Sequence, residues 1–443
     1  MSDTAQEQPQ DKWQVRFFTI WIGQAFSVLG SSLVGFAFVW YLTAQTGSAT
    51  VLAIGSLISK LPNVIVSPFA GTLVDRWNRK AVMMIFDSIT ALFTLLLAVL
   101  FLMDSVQVWH IYLVMFIRST CGQFQWAAIT ASTSLMVPKS QLSRVAGMNQ
   151  TLNGTMNIIA PAMGAFLIDL MPTQGILMID VSTAALAVIP LLFFKIPQPV
   201  RAAAGEAGKP DLRTTVWQDL VEGWKYISNW SALMGVILIA MLANFLINPA
   251  FSLLPLVVTE HFSKGAYELG LVNSVFGIGV ILGGLVLSAW GGFKNRIFTS
   301  MSALTLSGVG VLIVGLAPSN LFFMSIIGMA MFGFLNPIVN GPLFTVIQEN
   351  VEPEIQGRVF SFLSAGSALA SPLGLAIAGP VSDATSTQFW FIVGGSLTVV
   401  LGIASLFVPV IREFGKGHRE SPAVAPTVIE PALPIDQPLR DGE

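Results

Sequence analysis

The chain has 443 residues, of which 54% are hydrophobic and only 10% charged. Soluble domains carry about 25% charged residues, so this composition describes a polytopic membrane protein and excludes a soluble enzyme or a nucleic-acid binder. The net charge of −2 is uninformative as a sum, and the single cysteine, Cys121, excludes an internal disulfide and a cysteine-based metal site. No cofactor is expected.

Residues 1–15 read as a cytoplasmic tail, mostly polar from Ser2 to Gln14 with Trp13 the exception. They lead into an apolar segment too long for a signal-peptide core and without a cleavage site. A helical span needs about 20 mostly apolar residues. Twelve segments qualify, roughly 16–43, 50–73, 81–103, 109–136, 146–170, 175–195, 231–259, 267–290, 297–317, 320–348, 357–380 and 387–411. Barrel-type alternation is absent, so the expected fold is all-α, because only helices and closed barrels satisfy their backbones in lipid.

Span one places Gln24, Ser27 and Ser31 on one face. Span two carries Lys60 just before Pro62 and runs into Gly71-Thr72-Leu73-Val74-Asp75-Arg76-Trp77-Asn78-Arg79-Lys80, read as a tight charged loop at a membrane face. Asp87, about one and a half turns into span three, is expected to pair with Arg79, Lys80 or Arg144. Span four holds Arg118, Cys121 and Gln125, with Arg118 about 12 Å deep at 1.5 Å per residue. Intramembrane charge is costly and functional by default, so Lys60 and Arg118 are candidate coupling or substrate residues. Asp180 in span six stands near the outer ends with Asp104, Asp169, Glu260 and Asp383, where water reaches. It is the most buried of these and the next proton-site candidate.

Residues 196–230 break the apolar pattern. Arg201–Arg213 reads as a flexible linker, and Thr214–Asn229 as an amphipathic helix lying on the cytoplasmic face or packed on the bundle. Beyond it, span seven has Asn244-x-x-x-Asn248-Pro249 and span ten has Asn336-x-x-x-Asn340-Gly341-Pro342. Residues four apart share a helix face, so each span presents a pair of amides. Spans one, four, seven and ten hold equivalent places in three-helix units. Their polar stripes suggest one water-accessible cavity, with interhelical hydrogen bonding as the other reading. Phe26, Phe251 and Phe332 are candidates for apolar contact. Residues 412–443, rich in Pro and polar residues, read as a disordered cytoplasmic tail.

The halves 16–195 and 231–411 repeat each other weakly. Val137-Pro138 to Arg144-Val145 before span five matches Val351 and Pro353 to Arg358-Val359 before span eleven. Gly283-Gly284-Leu285 to Lys294-Asn295-Arg296 is a degraded copy of the 71–80 stretch, without its Asp. Two parallel six-helix repeats give a twelve-span, pseudo-symmetric bundle. With the N-terminus inside, 19 of the 22 bases fall on the cytoplasmic side. Only Lys264 falls outside, and Lys60 and Arg118 are buried, as the positive-inside rule requires.

The 71–80 stretch resembles the loop between the second and third helices of major facilitator superfamily transporters, with Asn78 where Gly is usual. Arg118 with Gly122 resembles the superfamily's Arg-x-x-x-Gly pattern in span four, a position implicated in proton coupling. Gly154 and Ala160-Pro161-x-x-Gly164 look like a reduced antiporter motif. Gly23-Gln24, Gly30-Ser31-Ser32, Trp40-Tyr41-Leu42-Thr43, Pro68-Phe69-Ala70-Gly71 and Gly357-Arg358-Val359 are similar to the macrolide-efflux branch. The resemblance implies an inner- or plasma-membrane transporter, monomeric, exporting a hydrophobic drug in exchange for protons. Relatives that export siderophores or lipids leave the substrate open. In this reading Gly71, Asp75, Arg76, Arg79, Lys80 and Asp87 form a gate. No Ser–His–Asp, Cys–His or metal constellation supports an enzyme, and no P-loop supports ATP-driven transport. A non-transporting receptor or scaffold is the alternative of another class.

Overall fold

The computed structural model describes residues 13–194, 196, 198 and 224–409. The tail up to residue 12, the linker 199–223 and the tail from 410 lie outside them. Within the described residues the chain is helical and contains no strand. Its helices are α1 (Trp13–Thr46), α2 (Ala49–Ile65), α3 (Ser67–Arg76), α4 (Arg79–Leu102), α5 (Val108–Met136), α6 (Leu142–Leu170) and α7 (Thr173–Phe193), then α8 (Ser231–Leu256), α9 (Ala266–Trp290), α10 (Arg296–Leu316), α11 (Phe322–Asn350), α12 (Pro353–Ala384) and α13 (Phe389–Phe407). Counting α2 and α3 as one crossing gives the twelve expected spans. Among the described residues, ten helices are individually long and apolar enough to cross a bilayer; α2 is shorter, and α5 is diluted by its polar residues.

Span two differs from the expectation. It is broken at Val66, whose N–H still reaches the carbonyl of Pro62 at 2.8 Å. Pro62 lies inside α2, and Pro68 opens α3, a position where its missing N–H costs nothing. The stretch expected to be a loop over Gly71–Lys80 is therefore mostly helix: α3 runs to Arg76, and only Trp77 and Asn78 turn the chain. Asn78 is the N-cap of α4, its side-chain oxygen accepting the N–H of Ala81 at 3.2 Å. The second half repeats this device, with Asn295 capping α10 through Phe298 N–H at 3.1 Å. An N-cap of this kind contributes about 1 kcal/mol.

The repeat extends to the arginine that follows each cap. Arg79 donates to the carbonyl of Ala131 on α5 at 2.8 Å. Arg296 pairs with Glu349 on α11 at 3.0 Å. Each ties the third helix of its half to the end of the fourth.

Between the halves, α6 packs on α9 and α2 on α12. Small residues make these crossings close. A Cβ on Gly379 would stand 2.8 Å from the Cβ of Ala53, and one on Gly270 would stand 2.8 Å from the carbonyl oxygen of Pro161. In lipid, association rests on such packing and on interhelical hydrogen bonds. Hydrogen bonds that bridge the halves among the described residues include Lys60 to Ser371, Ser274 to the carbonyl of Ile158, and Ser48, Ala49 and Thr50 to Asp383. The first two lie deeper, inside their helices, and the Asp383 set closes the end that holds the 47–50 turn. A core of Ala49, Leu52, Leu253, Leu254, Val257 and Phe332 seals it.

The described end of the linker packs on the second half. Ile227 is fully buried among Leu233, Val236 and Ile347. Trp224 stays half-exposed with its ring 5.5 Å from Phe362.

Candidate functional site

A cavity of about 540 Å³ opens on the first half, lined by Gln24, Ser27, Ser31, Thr90, Arg118 and Gln125 among others. A cavity of about 320 Å³ opens on the second, lined by Asn244, Asn248, Asn336 and Asn340 with Phe251, Phe276 and Phe332. A third, about 480 Å³, shares Ser32, Gly35 and Val39 with the first and Phe251 and Phe276 with the second. The polar stripes of α1, α5, α8 and α11 thus face adjoining spaces that share lining residues between the halves.

The first wall holds two buried carboxylates. Asp180 is 1% exposed and forms an ion pair with Arg118. Arg118 Nη2 adds a bond to Asp180 Oδ1 at 3.3 Å, Ser31 donates to Oδ1 at 3.2 Å, and Thr94 lies 3.3 Å from Oδ2. Arg118 also donates to Thr94. This corrects the expectation that Asp180 sits where water reaches it: α7 packs on both α1 and α4, and the backbone of Asp180 lies against Gly30. Four helices therefore meet at one charge pair, and its attraction and surrounding donors offset the desolvation of both ions.

Asp87 is equally buried but has no cation. Its two oxygens accept from Gln125 Nε2 at 2.7 Å and Gln24 Nε2 at 3.2 Å, with Ser27 also turned toward it. The expected pairing with Arg79, Lys80 or Arg144 is not what forms. Arg79 is drawn to Ala131, and Lys80 to the carbonyl of Leu192 at 3.2 Å. Asp87 belongs to the cavity wall through the two glutamines.

Among the described residues, the second wall carries no charged side chain. Asn244 donates to the carbonyl of Ala240 at 2.9 Å. Asn248 Nδ2 donates to the carbonyl and side-chain oxygen of Asn244, at 3.0 and 2.9 Å. Asn340 Nδ2 repeats this on Asn336, at 3.0 and 3.5 Å. Phe332 lies 4.6 Å from Phe251 and 5.7 Å from Phe276, ring centre to ring centre. Phe276 is the aromatic that sequence reasoning missed; it sits on α9, outside the four stripe-bearing spans. Phe26 is corrected: it is half-exposed and lines none of the three cavities.

Lys60 also leaves the cavity. Its ammonium bonds Ser371 on α12 at 3.0 Å, and it lines none of these spaces. Of the remaining gate residues, Arg76 is exposed and Arg79 buried. Gly71 has open space where a Cβ would stand, so packing here does not require glycine. The side chain of Asp75 lies outside what the structure describes. Asp383, passed over as solvent-exposed, bridges the halves. Its signal in sequence was the Ser48-Ala49-Thr50 helix start that it faces.

Two packed bundles of six spans, facing across a cavity with polar stripes at equivalent positions, define a membrane transporter of the two-half facilitator type. The family model described as Major Facilitator Superfamily matches residues 20–370 and 233–439. The chain belongs to the major facilitator superfamily. It is 32% identical over 406 residues to "Macrolide efflux protein A" of Streptococcus pyogenes, covering 92% of this chain and 98% of that protein. It is 24% identical to "Multidrug efflux pump Tap" of Mycolicibacterium fortuitum, covering 87% and 93%. Among solved structures, a bacterial homologue of the iron transporter ferroportin superposes with a TM-score of 0.66 at 15% identity, covering 90% of this chain and 99% of that one. The nucleoside transporter NupG gives 0.65 at 16% identity, covering 89% and 98%.

Proposed function

We propose that this transporter is a proton-coupled exporter of a hydrophobic, macrolide-like compound, working by alternating access. The observation that carries the reading is a cavity between two six-span halves, closed at one end, with two buried carboxylates in one wall. The names of its relatives point to drug efflux. The charge asymmetry of its loops supports an orientation with both termini cytoplasmic; in this reading the chain works as a monomer in the inner or plasma membrane. The closed end then faces outward, and this is the inward-facing state. Rocking of the halves about the midplane would break the contacts of α2 with α12 and of α6 with α9 and expose the cavity to the other side.

Asp87 and the Arg118–Asp180 pair are the proton-site candidates. Asp87 and Asp180 lie behind residues that line the cavity, Arg118 among them, where a proton and a substrate influence each other. Gly71, Asp75, Arg76, Arg79 and Lys80 serve the gate at the opposite end. The test is drug accumulation in everted vesicles with and without a proton uncoupler. Collapse of the gradient should abolish accumulation; unchanged accumulation would sink proton-coupled export.

A further inference from the structure

Four amides of the cavity walls are not free to present either end. Gln24 and Gln125 both turn Nε2 to Asp87. An ionised carboxylate only accepts, so while Asp87 is deprotonated each glutamine must offer it N–H and turn its carbonyl oxygen away. On the opposite wall, Asn248 and Asn340 both give Nδ2 to the main-chain carbonyl four residues earlier. A carbonyl also only accepts, and the same consequence follows. All four residues line the cavity. Of the two bases that could make the space positive, Arg118 is paired with Asp180, and Lys60 turns to Ser371 and lines none of the three cavities.

We infer that the cavity recognises its substrate through four orientation-locked amide oxygens, those of Gln24, Gln125, Asn248 and Asn340, and that it takes an apolar molecule bearing positive charge or hydrogen-bond donors rather than an anion. The partners behind the amides fix this polarity. Asp87 is a positioning residue: it touches no substrate and acts by holding two glutamines oxygen-inward. The aromatic cluster of Phe251, Phe276 and Phe332 gives the uncharged remainder of the molecule a surface to stack on, and ring faces attract cations as well. No carboxylate need contact the ligand, so the site attracts a cation without binding it as an ion pair.

The inference rests on reading these cavities as the substrate site, and it is tested by binding alone. The probes are tetraphenylphosphonium and tetraphenylborate, which share size and shape and differ in the sign of charge. Each is titrated into the purified full chain in nanodiscs, with protein-free nanodiscs subtracted. The expected result is at least tenfold tighter binding of the phosphonium. Asp87→Asn offers one donor and one acceptor where the carboxylate offered two acceptors, so one glutamine reverses. The preference for the cation should then narrow severalfold. A residue that merely supported the fold would weaken both ions together. Asn248→Leu and Asn340→Leu should narrow the preference from the other wall, and they keep the test open if the Asp87 variant does not fold. Equal or tighter binding of the borate, no binding of either ion, or a preference unchanged in all these variants would overturn the inference. Because no gradient is involved, a failure of proton-coupled export in vesicles leaves the charge preference of the cavity untouched. Conversely, an anion-selective cavity would overturn that preference while leaving the chain a transporter.

Discussion

The carboxylate of Asp383, at the end of α12, accepts the backbone N–H of Ala49, at the start of α2, at 2.6 Å. Thr50 N–H and the Ser48 hydroxyl complete its shell, each at 3.0 Å. One half thus caps a helix of the other, using donors that have no partner within their own helix. A charge-assisted hydrogen bond contributes about 1.5–3 kcal/mol when shielded, and water at this exposed carboxylate lowers that. Asp383→Ala should therefore shift the closed-to-open ratio at this end about three- to tenfold. Spin labels at Gln45 and Ser386, in a Cys121→Ser background, report it as a longer distance. An unaltered distance distribution would remove Asp383 from the closure.

Gly379→Leu should open the same end by sterics rather than charge. Its side chain would have to enter the space held by Ala53, where even a Cβ stands 2.8 Å away. Helix pairs this close do not absorb a branched side chain. The same label pair should show the open distance dominating, with a melting curve close to wild type. A closed distribution would mean that α2 and α12 can separate locally without the halves moving.

The Arg118–Asp180 pair should show the asymmetry of buried ions. Removing one partner leaves an unpaired charge and costs about 3–5 kcal/mol, whereas replacing both with apolar residues is close to neutral. Arg118→Met and Asp180→Leu should each lower folded yield and melting temperature, and the double variant should recover both. Gradient-driven export by that recovered double variant would exclude the pair from coupling and leave Asp87 as the proton site. If each single variant is as stable as wild type, the pair is not a structural ion pair.

Asn248→Ala and Asn340→Ala should impair export without loss of protein in the membrane. Each removes an amide that faces the cavity and satisfies its partner four residues earlier, not a core contact. Wild-type export by both would show that these amides only join helices.

Asn78→Ala should cost about 1 kcal/mol, and Asn78→Gly only a few tenths, because glycine is itself a tolerated N-cap. Thermal unfolding of the purified protein reads the difference. Equal losses would mean that the bond to Ala81 carries none of the stability of the turn.

The twelve spans and four polar stripes were legible in the sequence because length and apolarity decide spans, and a spacing of four decides a helix face. The break in span two was less visible. Pro62 and Pro68 announced it, but the charged residues of 71–80 read as loop while α3 continues to Arg76. Asp180 was legible as the most buried of the outer-end acids, but its pairing with Arg118 was not, although the depths allow it. At 1.5 Å per residue Asp180 lies roughly 10 Å along α7 and Arg118 roughly 15 Å along α5, both from the same face, an offset an arginine side chain spans. Asp87 could not be resolved by counting. Its choice of two glutamines over nearby bases depends on where Ala131 and Leu192 present carbonyls to Arg79 and Lys80, which is a matter of tertiary placement.

The interruption at Val66 has a consequence for how the molecule moves. The helix before it lies chiefly against α12, in the other half, while the helix after it lies against α5, in its own. Span two is therefore a limb with a knee. Its upper part can lean with one half of the molecule while its lower part stays planted in the other. Closing one doorway then need not force the other open in the same instant, and a brief posture with both doors shut becomes mechanically accessible.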